Sequence, residues 1–282
     1  MVFPQDIPVT VERDYKSQYS DKLRNCAPKK ETEFIVLIIF VESGNFLDPT
    51  GFCVSPKNNF FYSFVIMTLQ LRVYVPPHPL VKHWLGIARD VNTPSPLFRS
   101  AMTELGRWLT YEAIRDWLPV LETTVQTPFA ECSATFVNPQ IPMVVIPILR
   151  AGLGLLEGAQ TVLPLASIYH LGIVRNEETL EANFYLNNLP NQFDPNVRVL
   201  ICDPMLATGG TIMQAMAELT QRGVDPTAIR IISVIAAKPA LQKLGTTYPS
   251  LAIYTATIDE IVNDVGYILP GLGDAGDRIF GT

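Results

Sequence analysis

Short, largely apolar runs alternate with amphipathic stretches over most of the chain. The runs predict buried strands at residues 141–149, 167–174, 197–203, 229–236 and 251–257. The amphipathic stretches predict helices at 79–90, 97–117, 212–222 and 238–244, with a further helix that ends near Leu163 and a turn at 92–96. Strands that alternate with helices predict an α/β fold, in which helices flank a central parallel sheet.

The most specific chemical signal follows the predicted strand 197–203. Residues 203–211 have the sequence DPMLATGGT, which takes an apolar strand through an acidic residue and a small-residue turn into a helix. Glycines let backbone N–H groups approach a phosphate, and a helix N-terminus adds favourable partial charge. Thr208 and Thr211 add hydroxyl donors, so the stretch predicts an anion site. A Gly-Gly-Thr turn alone is equally typical of a simple helix cap, and the spacing matches neither a Walker loop nor a dinucleotide fingerprint.

Two charged residues lie where predicted parallel strands end, which is the edge at which such sheets bind ligands. Asp203 ends one strand, and Arg150 follows another. A carboxylate repels phosphate, so we expect Asp203 to face ribose hydroxyls or a magnesium ion. For Arg150 two interpretations stay open, namely contact with an anionic ligand and an ion pair with Glu157.

Three further strings accompany residues 203–211 in a fixed order. They are PILRAGLGLLE at 147–157, VRNEETL at 174–180 and GYILPGLGDAGDRIFGT at 266–282. Together the four resemble the uracil phosphoribosyltransferase family, from about Met67 to the C-terminus and least between residues 117 and 140. The resemblance implies a phosphoribosyltransferase-like fold, with N-terminal helices and a hood or flap built from residues 180–194 and 266–282. It also implies a pentosyltransferase (EC 2.4.2.9), which moves the 5-phosphoribosyl group of phosphoribosyl pyrophosphate (PRPP) to N1 of uracil and yields UMP and pyrophosphate.

The resemblance also implies a role for individual residues. Asp203, Asp274 and Arg175 would be catalytic, and Mg²⁺ would be held near Asp203 and Asp274 through PRPP and water. Uracil would contact Ile268, Gly273, Asp274 and Ala275. PRPP would contact Arg150, Arg175, Asp203, Pro204, Met205, Leu206, Ala207, Thr208, Gly209, Gly210, Thr211 and Asp274. Arg175 has the alternative of an ion pair with Glu177 or Glu178.

No histidine lies in these strings, so no general base for uracil N1 is assigned. His78 and His83 lie outside them, and His170 is expected to be a packed core residue within strand 167–174. A regulator that senses PRPP on the same fold is a competing hypothesis, although it would need neither Arg150 nor the base-binding GDAG stretch. A purine substrate is the other alternative. Purine enzymes of this fold use a lysine on the purine carbonyl, and no lysine follows Lys243.

Assembly and regulation are expected by resemblance as well. We expect a homodimer or higher homo-oligomer, and GTP is a candidate effector. The apolar positions Leu97, Met102, Leu105, Leu109 and Ile114 of helix 97–117 are typical of either a core face or a dimer face.

Composition limits the classes of partner that we expect the chain to bind. A net charge of −6 with 48% hydrophobic residues disfavours nucleic acid. No apolar segment is long enough to span a bilayer, so we expect a cytoplasmic protein without a membrane partner. Cys26, Cys53, Cys132 and Cys202 lack metal-ligand spacing and are predicted to be free thiols in a reducing compartment.

Residues 1–66 differ from residues 67–282. They hold 11 of the 27 aromatic residues, one alanine, five lysines and two arginines, whereas the rest has three lysines and eleven arginines. Met67 is a plausible translation start. We therefore interpret residues 1–66 as an atypical, non-native or disordered extension and 67–282 as the phosphoribosyltransferase domain. A targeting role is the alternative, but the acidic N-terminus is unlike a transit peptide or signal peptide.

Overall fold

The computed structural model describes residues 71–175 and 182–282, together with the backbone of Ile38 and Ile39. The helices are α1 (Pro79–Arg89), α2 (Ser95–Ile114), α3 (Leu153–Val162), α4 (Gly210–Gln221), α5 (Lys238–Thr247) and α6 (Ala275–Phe280), with a 3-10 turn at Pro226–Ala228. The strands are β1 (Ile38–Ile39), β2 (Arg72–Tyr74), β3 (Val120–Gln126), β4 (Glu131–Val137), β5 (Met143–Leu149), β6 (Ser167–Ile168), β7 (Leu171–Arg175), β8 (Ala182–Asn187), β9 (Arg198–Cys202), β10 (Met205–Leu206), β11 (Ile229–Ala237), β12 (Ala252–Asp259), β13 (Ile261–Val262) and β14 (Ile268–Leu269).

One sheet organises the described part of the chain. Its strand order is β1-β2-β12-β11-β9-β5-β7-β8, and β10 and β6 add to β11 and β5. Every pairing is parallel except that of β7 with β8. The carboxyl ends of β5, β9, β11 and β12 therefore meet at one edge, which we call the carboxyl edge. The predicted α/β fold with a parallel central sheet is confirmed.

Helices cover both faces of this sheet. Consecutive strand residues point to opposite faces, so Val145 and Leu200 pack in one apolar core and Val144 and Val199 in the other. The first core includes α1, α2, α3 and α6, and the second includes α4 and α5. All nine residues of β11 are buried, as expected for the interior of a parallel sheet covered on both sides.

Several predicted boundaries shift in the structure. Helix α2 begins at Ser95, because Pro96 fits the first helical turn, where its missing N–H costs nothing. The predicted strand 167–174 is two strands that pair with different parts of β5. His170 lies between them and is partly exposed, so its assignment to a strand and to the core was wrong.

The interpretation of α2 is resolved in favour of a core face. Met102, Leu105, Leu109 and Ile114 are buried within the single chain, whereas Leu97 is exposed. The close approach of α2 to α3 explains this, since a Cβ on Gly106 would lie 2.3 Å from the carbonyl oxygen of Leu155. Glycine at this position is what allows the two helices to pack.

The stretch of weakest resemblance, 117–140, contains an antiparallel hairpin that was not predicted. Strands β3 and β4 pair only with each other in the described sheets, from Val120↔Val137 to Gln126↔Glu131. Its residues are mostly exposed. Among the described residues, no helix is long and apolar enough to cross a membrane.

Candidate functional site

Residues 203–211 link β9 to α4 at the carboxyl edge. The carbonyl of Pro204 accepts hydrogen bonds from the backbone N–H groups of Val234 and Ile235, both at 3.0 Å. Met205 and Leu206 form β10 and pair with β11. These contacts fix the first half of the loop to the sheet, so its second half starts from a rigid base.

The second half of the loop is built from small residues. Ala207 and Thr208 lead to Gly209, the N-cap residue of α4, which has a φ of 75°. A Cβ there would be strained and would lie 3.3 Å from the Cα of Ala240, so glycine is required. Gly210 and Thr211 then form the first turn of α4, whose backbone N–H groups point towards the carboxyl edge. This is the helix N-terminus that the sequence predicts as an anion site.

Asp203 lies at the base of the loop, where the surrounding protein encloses its carboxyl although the residue as a whole keeps some contact with solvent. Its Oδ1 accepts one long hydrogen bond, 3.4 Å from the N–H of Met205. Burial raises the pKa of the Asp203 carboxyl to about 7, and the bond from Met205 offsets only part of this effect. A carboxyl with a pKa near 7 is prepared to gain a partner that stabilises its charge, such as a cation or hydroxyl donors.

Arg150 follows β5 at the same edge. The adjacent turn lies so close to β9 that a Cβ on Gly152 would meet the carbonyl oxygen of Cys202 at 2.4 Å. The Arg150 side chain is 55% exposed, and its Nη2 lies 2.9 Å from Oδ1 of Asp277. Its partner is thus Asp277 rather than Glu157, which instead accepts a hydrogen bond from Thr103 Oγ1 at 3.0 Å. Asp277 was not among the predicted site residues, although it lies within the string at 266–282.

The pair of Arg150 and Asp277 brings the C-terminal segment to the carboxyl edge. Asp274 is the N-cap of α6, where its Oδ1 accepts from the N–H of Asp277 at 2.9 Å. Gly273 is exposed with a φ of 78°, whereas Ala275 is buried. The side chain of Ile268 is also buried in the core, which leaves only its backbone for contact with a ligand. The two predicted binding segments thus approach one edge.

For Arg175, the remaining predicted residue, the structure describes only the backbone. It ends β7 and pairs with Ala182 of β8. Residues 176–181 lie outside the described residues, and so do the alternative partners Glu177 and Glu178. Of the four cysteines, Cys202 is buried and Cys132 exposed, both as free thiols, while Cys26 and Cys53 lie outside the described part. Burial raises the pKa of the Cys202 thiol, which leaves it unreactive.

Comparison with known proteins assigns the chain to a family. A family model described as uracil phosphoribosyltransferase matches residues 75–282. The chain belongs to the uracil phosphoribosyltransferase family. A relative of that name from Nostoc sp. is 76% identical over 216 residues, which are 77% of this chain and 100% of the relative. A relative of that name from Nicotiana tabacum is 54% identical over 213 residues, covering 76% of this chain and 95% of the relative.

A solved structure supports the fold of this family member. The AQ2163 protein from Aquifex aeolicus superposes with a TM-score of 0.68 at 40% identity, covering 74% of this chain and 98% of that one. The chain is therefore an enzyme of the phosphoribosyltransferase fold, and its carboxyl edge is the candidate active site.

Proposed function

We propose that the carboxyl edge binds PRPP and uracil and joins C1 of the ribose to N1 of uracil, which releases pyrophosphate and yields UMP. The observation that carries this proposal is the meeting of three elements at one edge of the sheet in a member of this family. They are the loop 203–211, Arg150 and the C-terminal segment at 266–282. A displacement at the anomeric carbon needs both reactants in line and charge stabilisation on the leaving group.

The 5-phosphate would lie against Ala207, Thr208, Gly209, Gly210 and Thr211. Gly209 contributes no side chain at the N-cap, so the first-turn N–H groups of α4 receive no side-chain cap from it. The residues before them would fix the position of the loop relative to the sheet. Met205 and Leu206 pair with β11, and the carbonyl of Pro204 accepts hydrogen bonds from the same strand. A phosphate in this position gains several backbone hydrogen bonds and the favourable end of the helix dipole.

Arg150 would bind pyrophosphate together with Arg175. The present partner of Arg150 does not exclude this, because both members of the pair with Asp277 are about half exposed. An exposed ion pair contributes about 0–1 kcal/mol. A pyrophosphate with several negative charges would therefore displace Asp277 at little cost.

Asp203 would accept hydrogen bonds from the ribose hydroxyls, and Asp274 would lie across the site near the pyrophosphate. Both are oxygen donors of the kind that Mg²⁺ prefers. Within the described residues, no group of three His, Cys, Asp or Glu side chains could form a protein-only metal cage. The residues thus fit a magnesium ion held mainly by PRPP oxygens and water, with one or two carboxylates nearby. Such an ion would neutralise charge on the leaving pyrophosphate.

Uracil would be recognised by backbone groups around Ile268, Gly273, Asp274 and Ala275. Uracil presents alternating carbonyl and N–H groups, and backbone amides and carbonyls can match that pattern. Cytosine would bring its amine against a donor and leave both unpaired, which is a strong basis for discrimination. The N1 proton has no assigned acceptor in this chain.

The test is UMP formation from labelled uracil, PRPP and Mg²⁺ by the full chain. We expect turnover in the wild type and a loss of at least about 100-fold in kcat/KM for Asp203→Ala and Asp274→Ala. A folded wild type that binds PRPP without making UMP would favour the regulator hypothesis. Turnover with hypoxanthine or guanine in place of uracil would favour the purine alternative.

Assembly, regulation and location are separate proposals. We propose a homodimer or higher oligomer, supported by the hairpin of β3 and β4, in which Phe129 is 96% exposed and Val120 and Phe136 are also exposed. Light scattering should give at least twice the subunit mass, and Phe129→Asp should lower the measured mass if the hairpin is the contact.

GTP as an effector rests on the resemblance alone and is tested by the kcat/KM with and without GTP. A cytoplasmic location is tested by cell fractionation.

A further inference from the structure

The loop that would recognise uracil is attached to the rest of the domain at Gly271. The N–H of Gly271 donates to Oδ2 of Asp259 at 2.9 Å, and its carbonyl accepts from Nη1 of Arg89 at 3.2 Å. Nη2 of Arg89 lies 2.6 Å from Oδ1 of Asp259. The three residues thus form a closed ring of hydrogen bonds, which holds both polar groups of one peptide residue.

The members of this ring come from rigid elements. Arg89 is the last residue of α1, and Asp259 is the last residue of β12, at the carboxyl edge. The side chain of Asp259 is 5% exposed and that of Arg89 is 25% exposed. Both carboxylate oxygens of Asp259 are therefore engaged, one with each partner, in a largely buried position.

A second anchor holds the next residue. The carbonyl of Leu272 accepts from Nη1 of Arg278 at 2.8 Å, and the same guanidinium donates to the carbonyls of Ala88 and Asp90 at the end of α1. Its Cζ lies 4.1 Å from the centroid of the Phe98 ring. Residues 271 and 272 are thus fixed to the end of α1, directly before Gly273 and Ala275.

A buried ion pair adds little net stability, because the cost of desolvating both charges offsets their attraction. Its consequence here is geometric. Recognition by backbone groups depends on the position of the loop itself, since no side chain can adjust to the base. We infer that Asp259 and Arg89 are positioning residues that set the affinity of the site for uracil by fixing the backbone of Gly271.

This inference rests on the proposed function, so the test first requires that wild-type protein makes UMP. Asp259→Asn replaces one of the two acceptor oxygens by an amide nitrogen. One of the two donors, the N–H of Gly271 or Nη2 of Arg89, therefore loses its anchoring bond. Arg89→Met keeps the bond from Gly271 N–H to Asp259 but removes the donor to the Gly271 carbonyl. The control is Asp116→Asn, whose carboxylate is more exposed than that of Asp259. It changes another Asp–Arg pair, with Arg230 at 2.7 Å, near the amino-terminal end of β11.

We expect Asp259→Asn and Arg89→Met each to raise the KM for uracil about tenfold, the effect of one lost hydrogen bond to a charged group. The KM for PRPP should change less than about twofold, and the control should change neither. Arg89→Lys should recover part of the uracil affinity, because its ammonium can still donate to Asp259.

An equal rise of both KM values, or a fall in kcat alone, would mean a merely structural role and would overturn the inference. Unchanged uracil KM in both variants would overturn it too, while leaving the proposed function intact. A wild type without UMP formation would overturn both. Arg89→Met keeps the test open if Asp259→Asn does not fold, since Arg89 is partly exposed.

Discussion

At the scale of single residues, backbone conformation restricts one position of the site and burial changes the chemistry of another. Gly271 has a φ of 59°, and a Cβ there would lie 2.1 Å from the carbonyl oxygen of Ile268. Asp203 carries a carboxyl that burial holds partly protonated at neutral pH. The sequence identified Asp203 by its place after an apolar run. The same signal would have found Asp259, had the last strand been extended two residues beyond Thr257.

Replacing Gly271 by alanine should destabilise the protein by about 2 kcal/mol or more, because it combines left-handed strain with a backbone clash. Urea unfolding measures the effect. The control is Gly86→Ala in α1, where a Cβ meets nothing within 4 Å. That change should stabilise by about 0.5–1 kcal/mol through higher helix propensity. Similar midpoints for the two variants would contradict the role of Gly271.

Asp203→Asn should alter the pH dependence of stability in the absence of PRPP and Mg²⁺. The folded pKa near 7 exceeds the ordinary 3.8, so the unfolded chain loses this proton first. The contribution of Asp203 is complete below about pH 4 and falls until pH 7. The Tm of the variant relative to wild type should rise by about 3 °C or more over this range and then level off. Parallel Tm curves from pH 4 to 8 would refute the raised pKa.

At the scale of elements, the ends of helices position most of the segments that form the proposed site. The first turn of α4 faces the proposed phosphate site, and the last turn of α1 holds the C-terminal segment through Arg89. The other end of α4 holds the chain after β8. There Glu218 accepts from Arg222 Nη2 at 2.5 Å and from Asn187 at 2.8 Å, while Arg222 also donates to the carbonyls of Leu189 and Pro190.

Glu218→Gln should cost about 1 kcal/mol at pH 7. The hydrogen bond from Arg222 lowers the pKa of Glu218, so its contribution is present above the ordinary value of 4.5 and is lost as the pH falls through the folded pKa. The difference from wild type in thermal or urea unfolding should therefore shrink below about pH 4. Glu112→Gln is the matched control, since its partner Arg115 is 50% exposed and the change should cost less than about 0.5 kcal/mol. An equal loss in both variants would contradict the coupling of α4 to this segment.

At the scale of the whole molecule, the boundary near Met67 stays a prediction, and the parallel pairing of Ile38–Ile39 with β2 crosses it. The family match begins at residue 75, and the 216 matched residues of the Nostoc relative are its full length. A chain of residues 67–282 should fold and make UMP with KM values within about twofold of the full chain. Insoluble or inactive protein would show that residues before Met67 belong to the domain. Peptides from residues 1–66, found by mass spectrometry of the protein from its natural source, would refute their non-native origin.

The sequence by itself determined the layered α/β fold and the loop at 203–211, because apolar runs of strand length and small residues before a helix are local properties of the chain. Boundaries such as the break at His170 and the hairpin of β3 and β4 were missed, since pairing with distant strands decides them. Only the tertiary structure decided which charges meet. Arg150 meets Asp277, and Asp259 meets both Arg89 and Gly271. In the pairs Arg150–Asp277 and Arg89–Asp259, the two residues are more than 120 positions apart in the sequence. A local sequence pattern does not encode contacts between residues so far apart, because these contacts form only when the helices pack on the sheet.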